Sequence, residues 1–164
     1  MVDIGQPDEF ITDPFHFMNV LNGSNRLALG YAYATDGCSK RAAQYICFGN
    51  SPAGGKPITI GDVHFYPGSK NDFHGKLDRQ RDDRSRIRAK EGAAAAEKYG
   101  PDLERHEAVH SRQWARYPDA ALFIADYAGP ESLRSWLTKG NASDGNRFEK
   151  EANLWWGGYE TWEE

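Results

Sequence analysis

An α+β fold, a small sheet packed on a helical set, is what the sequence predicts, and three stretches predict it. Ile58-Thr59-Ile60-Gly61-Asp62-Val63-His64-Phe65-Tyr66 is β-branched and aromatic and is closed by Pro67-Gly68, as in a strand with a bulge or turn at Gly61-Asp62. Tyr99-Gly100-Pro101-Asp102 opens a helix running to about Arg116 and stopped by Pro118, with Pro101, Asp102 and Glu104 suiting its positive end. Arg147 opens a last helix to about Trp156, ended by Gly157-Gly158. At 164 residues, with 39% apolar and 13% aromatic content, the chain reads as one domain able to bury a core unaided.

Within that domain, residues 1–56 read as an N-terminal arm with irregular segments. Phe10, Ile11, Phe15, Phe17, Met18, Val20 and Leu21 would dock, and Asp13-Pro14 resembles the start of a short helix near 14–22. Leu27–Tyr33 and Gln44–Phe48 are strand-like or short helical segments, and 50–57 is a loop by composition. The core is expected over 57–160, with a charged insertion at 76–99. This insertion reads as an exposed helix or a mobile segment broken near Gly92, since Ala93–Ala96 is a run of the best helix former. Arg79, Arg81, Arg84, Arg86 and Arg88 form a basic cluster. A solvated face laced by Asp78, Asp82 and Asp83 is favoured over an acidic partner. Asp119–Tyr127 and Glu131–Leu137 read as helices separated by Gly129-Pro130, with Leu122, Phe123, Ile124, Leu133, Trp136 and Leu137 supplying core.

Charge and cysteine usage narrow the function classes. The net charge of -4 leaves no general basic footprint for nucleic acid. Cys38 and Cys47 are either a disulfide suited to an exported protein or two free thiols in a reducing compartment. No apolar stretch is long enough for a membrane span. No signal-peptide pattern opens the sequence, so the chain is either exported by another route or cytoplasmic.

The chemistry centres on His106-Glu107-Ala108-Val109-His110, an H-E-x-x-H sequence. Two histidines four apart share one helical face, and their imidazoles can converge on one Zn²⁺. Glu107 is placed to act as general base on a metal-activated water. A third ligand is required. His16, His64 and His74 all lie upstream, and positions 113 and 116 are Gln and Arg, which excludes the longer pattern with a third histidine six residues on. Glu149 is the better candidate. Asn153 shares its face, as a hydrogen-bond acceptor for the second nitrogen of a ligating histidine.

The pairing of H-E-x-x-H with the downstream Phe148-Glu149-Lys150-Glu151-Ala152-Asn153 resembles the gluzincin group of zinc metallopeptidases. It is most similar to compact domains of bacterial exported proteins and polymorphic toxins. Thr59-Ile60-Gly61, His106 to Gln113 and Phe148 to Asn153 carry the resemblance, over roughly 57–160. It implies a zincin-like fold, Zn²⁺ held by His106, His110 and Glu149, and hydrolysis of a peptide or protein substrate. The 58–66 strand would then pair with the extended substrate. Asn153, where a related pattern often has Asp, and the long 76–99 segment depart from it.

Each assignment has a plainer competitor. H-E-x-x-H also arises on a solvated helix whose charges pair along its surface. Glu149 has capping-box spacing from Asn146, and Glu151 competes with it as ligand. Gln113 either buttresses His110 or is a surface amide. Tyr127, Tyr159 and His64 are oxyanion-donor candidates or core and rim residues. Trp155, Trp156, Tyr159 and Trp162 read as core and rim packing. The alternative function is a catalytically weak or inactive zincin-like binding module of a secreted assembly or toxin. A helical interaction protein without metal is the third reading.

Overall fold

The computed structural model describes residues 14–41, 44–133, 137 and 145–158. It is α+β, with helices α1 (Pro14–Leu21), α2 (Ser24–Ala32), α3 (Lys70–Glu91), α4 (Ala93–Tyr99), α5 (Leu103–Ala115), α6 (Ala120–Asp126), α7 (Arg147–Glu151) and α8 (Leu154–Gly157). The strands are β1 (Gly37–Arg41), β2 (Gln44–Phe48), β3 (Ile58–Ile60) and β4 (Val63–Tyr66). Two compact units divide the chain, 1–70 with 110–124 and 71–109 with 125–164. The continuous helix α5 therefore belongs to both, His110 to Ala115 to the first and Leu103 to Val109 to the second.

The first unit holds the sheet, ordered β1-β2-β4-β3. β1 and β2 are antiparallel, β2 and β4 parallel, β3 and β4 antiparallel. The stretch 58–66 is thus a hairpin, and the turn alternative at Gly61-Asp62 is the one realised. Gly61 has φ +57°, which costs a glycine little and a side chain much. The 27–33 stretch is helical, and β1 supplies a strand the sequence did not signal. Cys38 and Cys47 are cross-strand partners in the β1–β2 register and form a disulfide.

Buried amides dock the described part of the arm. Phe17, Val20 and Leu21 are exposed, whereas Asn19 and Asn22 are buried. Asn19 Nδ2 donates to Asp62 Oδ1 at 2.8 Å and to the Ser111 carbonyl at 3.0 Å. Asn22 Nδ2 donates to the Trp114 carbonyl at 2.8 Å. Gln44 Nε2 donates to Ser111 Oγ at 2.5 Å, and Trp114 Nε1 donates to the Thr59 carbonyl at 2.8 Å. The C-terminal half of α5 is so tied to α1 and to both halves of the sheet. The Thr59 bond occupies an acceptor on edge strand β3 that an added substrate strand would use, which weakens the strand-pairing expectation.

On α6 only Phe123 is buried, stacked on Trp114 at 4.1 Å between ring centroids. Leu122, Ile124, Leu133 and Leu137 are exposed instead of core. A seven-residue helix has room for one inward face, and Phe123 fills it. Phe10, Ile11, Trp136 and Trp162, and most of the 140–145 loop, fall outside the described residues.

In the second unit, α3 begins at Lys70, earlier than the charged segment suggested, and Gly92 separates it from α4. Phe73, Leu77 and Gln80 give α3 one buried face. Its arginines are laced as expected of a solvated face, Arg81 to Asp78 at 3.0 Å and Arg86 to Asp83. Arg84 joins Asp102 and Glu97. Asp102 caps α5, its Oδ1 accepting from the Arg105 amide at 3.1 Å. A π-helical segment, Tyr127–Glu131, contains Pro130. The last helix is two short ones, broken at Asn153, whose φ is +66°. Trp155 meets Tyr99 edge-on and Arg105 stacks on Trp156, so this part of the aromatic stripe packs within the unit. Among the described residues no helix is long and apolar enough to cross a membrane.

Candidate metal centre

α5 carries a polar face through an otherwise packed helix. His106, Glu107, His110, Ser111 and Gln113 are all buried. α7 brings Glu149 to the same place. His106, His110 and Glu149 each offer a ligand atom, and these atoms lie within 4.8 Å of one another. His106 Nε2 and Glu149 Oε2 are 3.4 Å apart. Two donors at Zn–N and Zn–O bond lengths around a tetrahedral ion would be separated by about 3.3 Å. The pair is spaced to share an ion.

The other imidazole nitrogens are already engaged. His106 Nδ1 lies 3.0 Å from the Ala152 carbonyl and 3.2 Å from the Asn153 carbonyl. His110 Nδ1 lies 2.8 Å from Gln113 Oε1. These acceptors favour a proton on each Nδ1 and leave each Nε2 lone pair for a metal. Two neutral imidazoles and a carboxylate form a donor set that suits zinc. The residues present therefore fit the ion that the sequence pattern implies.

Glu149 is 3% exposed and belongs to the cluster, whereas Glu151 is exposed and does not. Asn146 caps α7, its Oδ1 accepting from the Phe148 amide at 2.9 Å. Tyr127 hydroxyl donates to Glu149 Oε1 at 2.5 Å. The Tyr127 hydroxyl, foreseen as an oxyanion donor, is thus engaged by the Glu149 carboxylate. Asn153 also has a different task from the expected one. Its backbone carbonyl faces His106, while its side chain caps α8 at the Trp155 amide and donates to the Lys98 carbonyl. Gln113, fully buried against His110, is the buttress rather than a surface amide. His64 is 0% exposed on β4, its Nδ1 3.1 Å from Thr59 Oγ1, a sheet-core position and not part of the cluster. Tyr159 lies outside the described residues.

Sequence reasoning missed Lys76. Burial pushes its ammonium below the usual 10.5; the charge of Glu107 opposes that fall and Arg79 adds to it. The 73, 77, 80 spacing of buried residues is the signal that puts Lys76 at the edge of the buried face of α3. Comparison with protein-family models, curated proteins and solved structures finds no match.

Proposed function

We propose that the protein is a zinc-dependent metallopeptidase with a zincin-like arrangement, cleaving peptide bonds within peptide or protein substrates. The observation that supports this best is the buried His106, His110, Glu149 group with Glu107 next to its first member. His106 and His110 would hold the ion through Nε2 and Glu149 through its carboxylate. When bound, zinc polarises the scissile carbonyl and makes water nucleophilic near neutral pH. Glu107 takes the proton from the attacking water and passes it to the departing amine. Ala152 and Gln113 hold the imidazoles in orientation, and Tyr127 holds the carboxylate.

The substitution Glu107→Gln is the test. It removes the base while keeping shape and hydrogen-bonding capacity. Hydrolysis of casein should be lost, while zinc content measured by atomic emission stays near one equivalent. Unchanged hydrolysis would reject Glu107 as base. A wild-type chain that binds zinc and hydrolyses nothing would be the metal-holding module without turnover.

A further inference from the structure

Hydrogen bonds set α3 and the first turns of α5 in antiparallel register. Arg84 pairs with the Asp102 carboxylate, and Gln80 Oε1 accepts from the Leu103 amide at 3.0 Å. One turn back along α3 from Gln80 is Lys76. One turn on along α5 from Leu103 is Glu107. The register thus places a lysine opposite the glutamate that follows the first histidine, and the two interact electrostatically. Lys76 is half-buried, and Glu107 is 6% exposed.

We propose that Lys76 is a catalytic residue that donates a hydrogen bond from its ammonium to the scissile carbonyl oxygen as negative charge gathers there. This rests on the peptidase reading. A general base must lie within hydrogen-bond reach of its water, and that water within bonding reach of the carbonyl carbon. A cation facing the base is therefore close to the carbonyl as well. Its flexible four-carbon stem carries three donors, enough to address Glu107 and a substrate oxygen together. A partly desolvated charge stabilises a developing anion more than a hydrated one does. Of the donors foreseen from sequence, Tyr127 is committed to Glu149 and His64 to the sheet, and Tyr159 lies outside the described residues. In the reaction the water oxygen bonds to the carbonyl carbon and the carbon–nitrogen bond breaks. Glu107 carries the proton to the amine, and Lys76 keeps its own throughout.

The test compares zinc-loaded full-length wild type, Glu107→Gln, Lys76→Met and Lys76→Arg on denatured casein. Lys76→Met should fold, because it removes a charge that burial already disfavours. Its kcat should fall about 100-fold, the lower end of the range for losing an oxyanion donor. KM and zinc content should hold within about twofold, and Lys76→Arg should recover part of the rate by restoring the cation. In a second measurement, NMR of reductively ¹³C-methylated lysines, the Lys76 signal should titrate at lower pH in Glu107→Gln, where the opposing anion is gone. An unchanged kcat in Lys76→Met alongside a dead Glu107→Gln overturns the inference and leaves the peptidase reading standing. A change confined to KM overturns it in favour of substrate anchoring. A Lys76 titration indifferent to Glu107→Gln overturns the geometry. Failure of wild type to cleave casein defeats both readings.

Discussion

Replacing Gln113 with leucine should weaken zinc binding about 10- to 100-fold, or about 1.4–2.7 kcal/mol, the usual effect of losing a partner behind a metal-binding histidine. Gln113 is 0% exposed, and its Oε1 sits 2.8 Å from His110 Nδ1. Leucine keeps approximately the volume and removes the acceptor. The buried Nδ1–H then loses a bond worth about 0.5–1.5 kcal/mol net, and leaving it unsatisfied costs about 1–3 kcal/mol. In the apo protein His110 can escape part of that cost by moving its proton to Nε2, the atom proposed to bind metal. Zinc binding forces the proton back, so the cost is charged to affinity. Gln113→Glu tests the same idea from the other side, since a carboxylate keeps an acceptor at this distance and should retain affinity. The assay is competition for zinc against a chromogenic chelator at neutral pH, with circular dichroism to confirm the fold. Affinity within twofold of wild type in a folded Gln113→Leu protein would refute the claim that Gln113 fixes the His110 tautomer.

Three other perturbations have outcomes that follow from the structure. Gly61→Ala should destabilise by about 1–3 kcal/mol in urea unfolding, because φ is +57° and a Cβ would run into the Asn25 side chain; an unchanged midpoint would contradict the turn geometry. Cys38→Ser with Cys47→Ser should cost about 2–3 kcal/mol by opening a loop of sequence separation 9, and reductant should lower wild-type stability but not that of the double variant. The Arg105 hydrogen bond holds the Glu97 carboxyl below its usual 4.5, with charges from Arg105 and Arg84 assisting and desolvation opposing. Its contribution to stability is therefore full above that value and lost as pH falls through the lower folded one, so Glu97→Gln should flatten the acid side of the stability profile. The effect should shrink in high salt because the pair is exposed. An acid limb equally steep in Glu97→Gln would show that this carboxylate contributes nothing.

Much of the fold was legible where a single period or a single stop governed the chain. α5 is capped by Asp102 and ends before Pro118, and Gly92 breaks the charged helix as glycine in a helix should. The sheet was legible only in part. β1 is Gly37-Cys38-Ser39-Lys40-Arg41, with no hydrophobic alternation, and becomes a strand because β2 pairs with it and the disulfide joins the two. Phe17, Val20 and Leu21 in the arm and Leu122 and Ile124 on α6 misled because they are exposed, while the buried amides of Asn19 and Asn22 do the docking. An asparagine that bridges a carboxylate and a helix carbonyl has no periodic signature, since its value depends on partners 43 and 92 residues away.

The candidate site divides along the same line, and Asn153 shows why. The cluster of His106, His110 and Glu149 was readable because metal binding requires particular side chains at particular spacings. The groups that orient them are under no such requirement. His106 is met by the Ala152 and Asn153 carbonyls, and every residue has a carbonyl. What the sequence could encode was the bend that turns those carbonyls toward the imidazole. Asn153 has φ +66°, a value that asparagine tolerates better than most residues. Its side chain then caps α8 and ties back to Lys98, holding the bend in place. Asn153, singled out for its side chain, meets His106 through its backbone instead. Alanine at 153 should therefore impair the site by loosening the bend, whereas aspartate, which keeps the cap and tolerates positive φ, should largely preserve zinc binding.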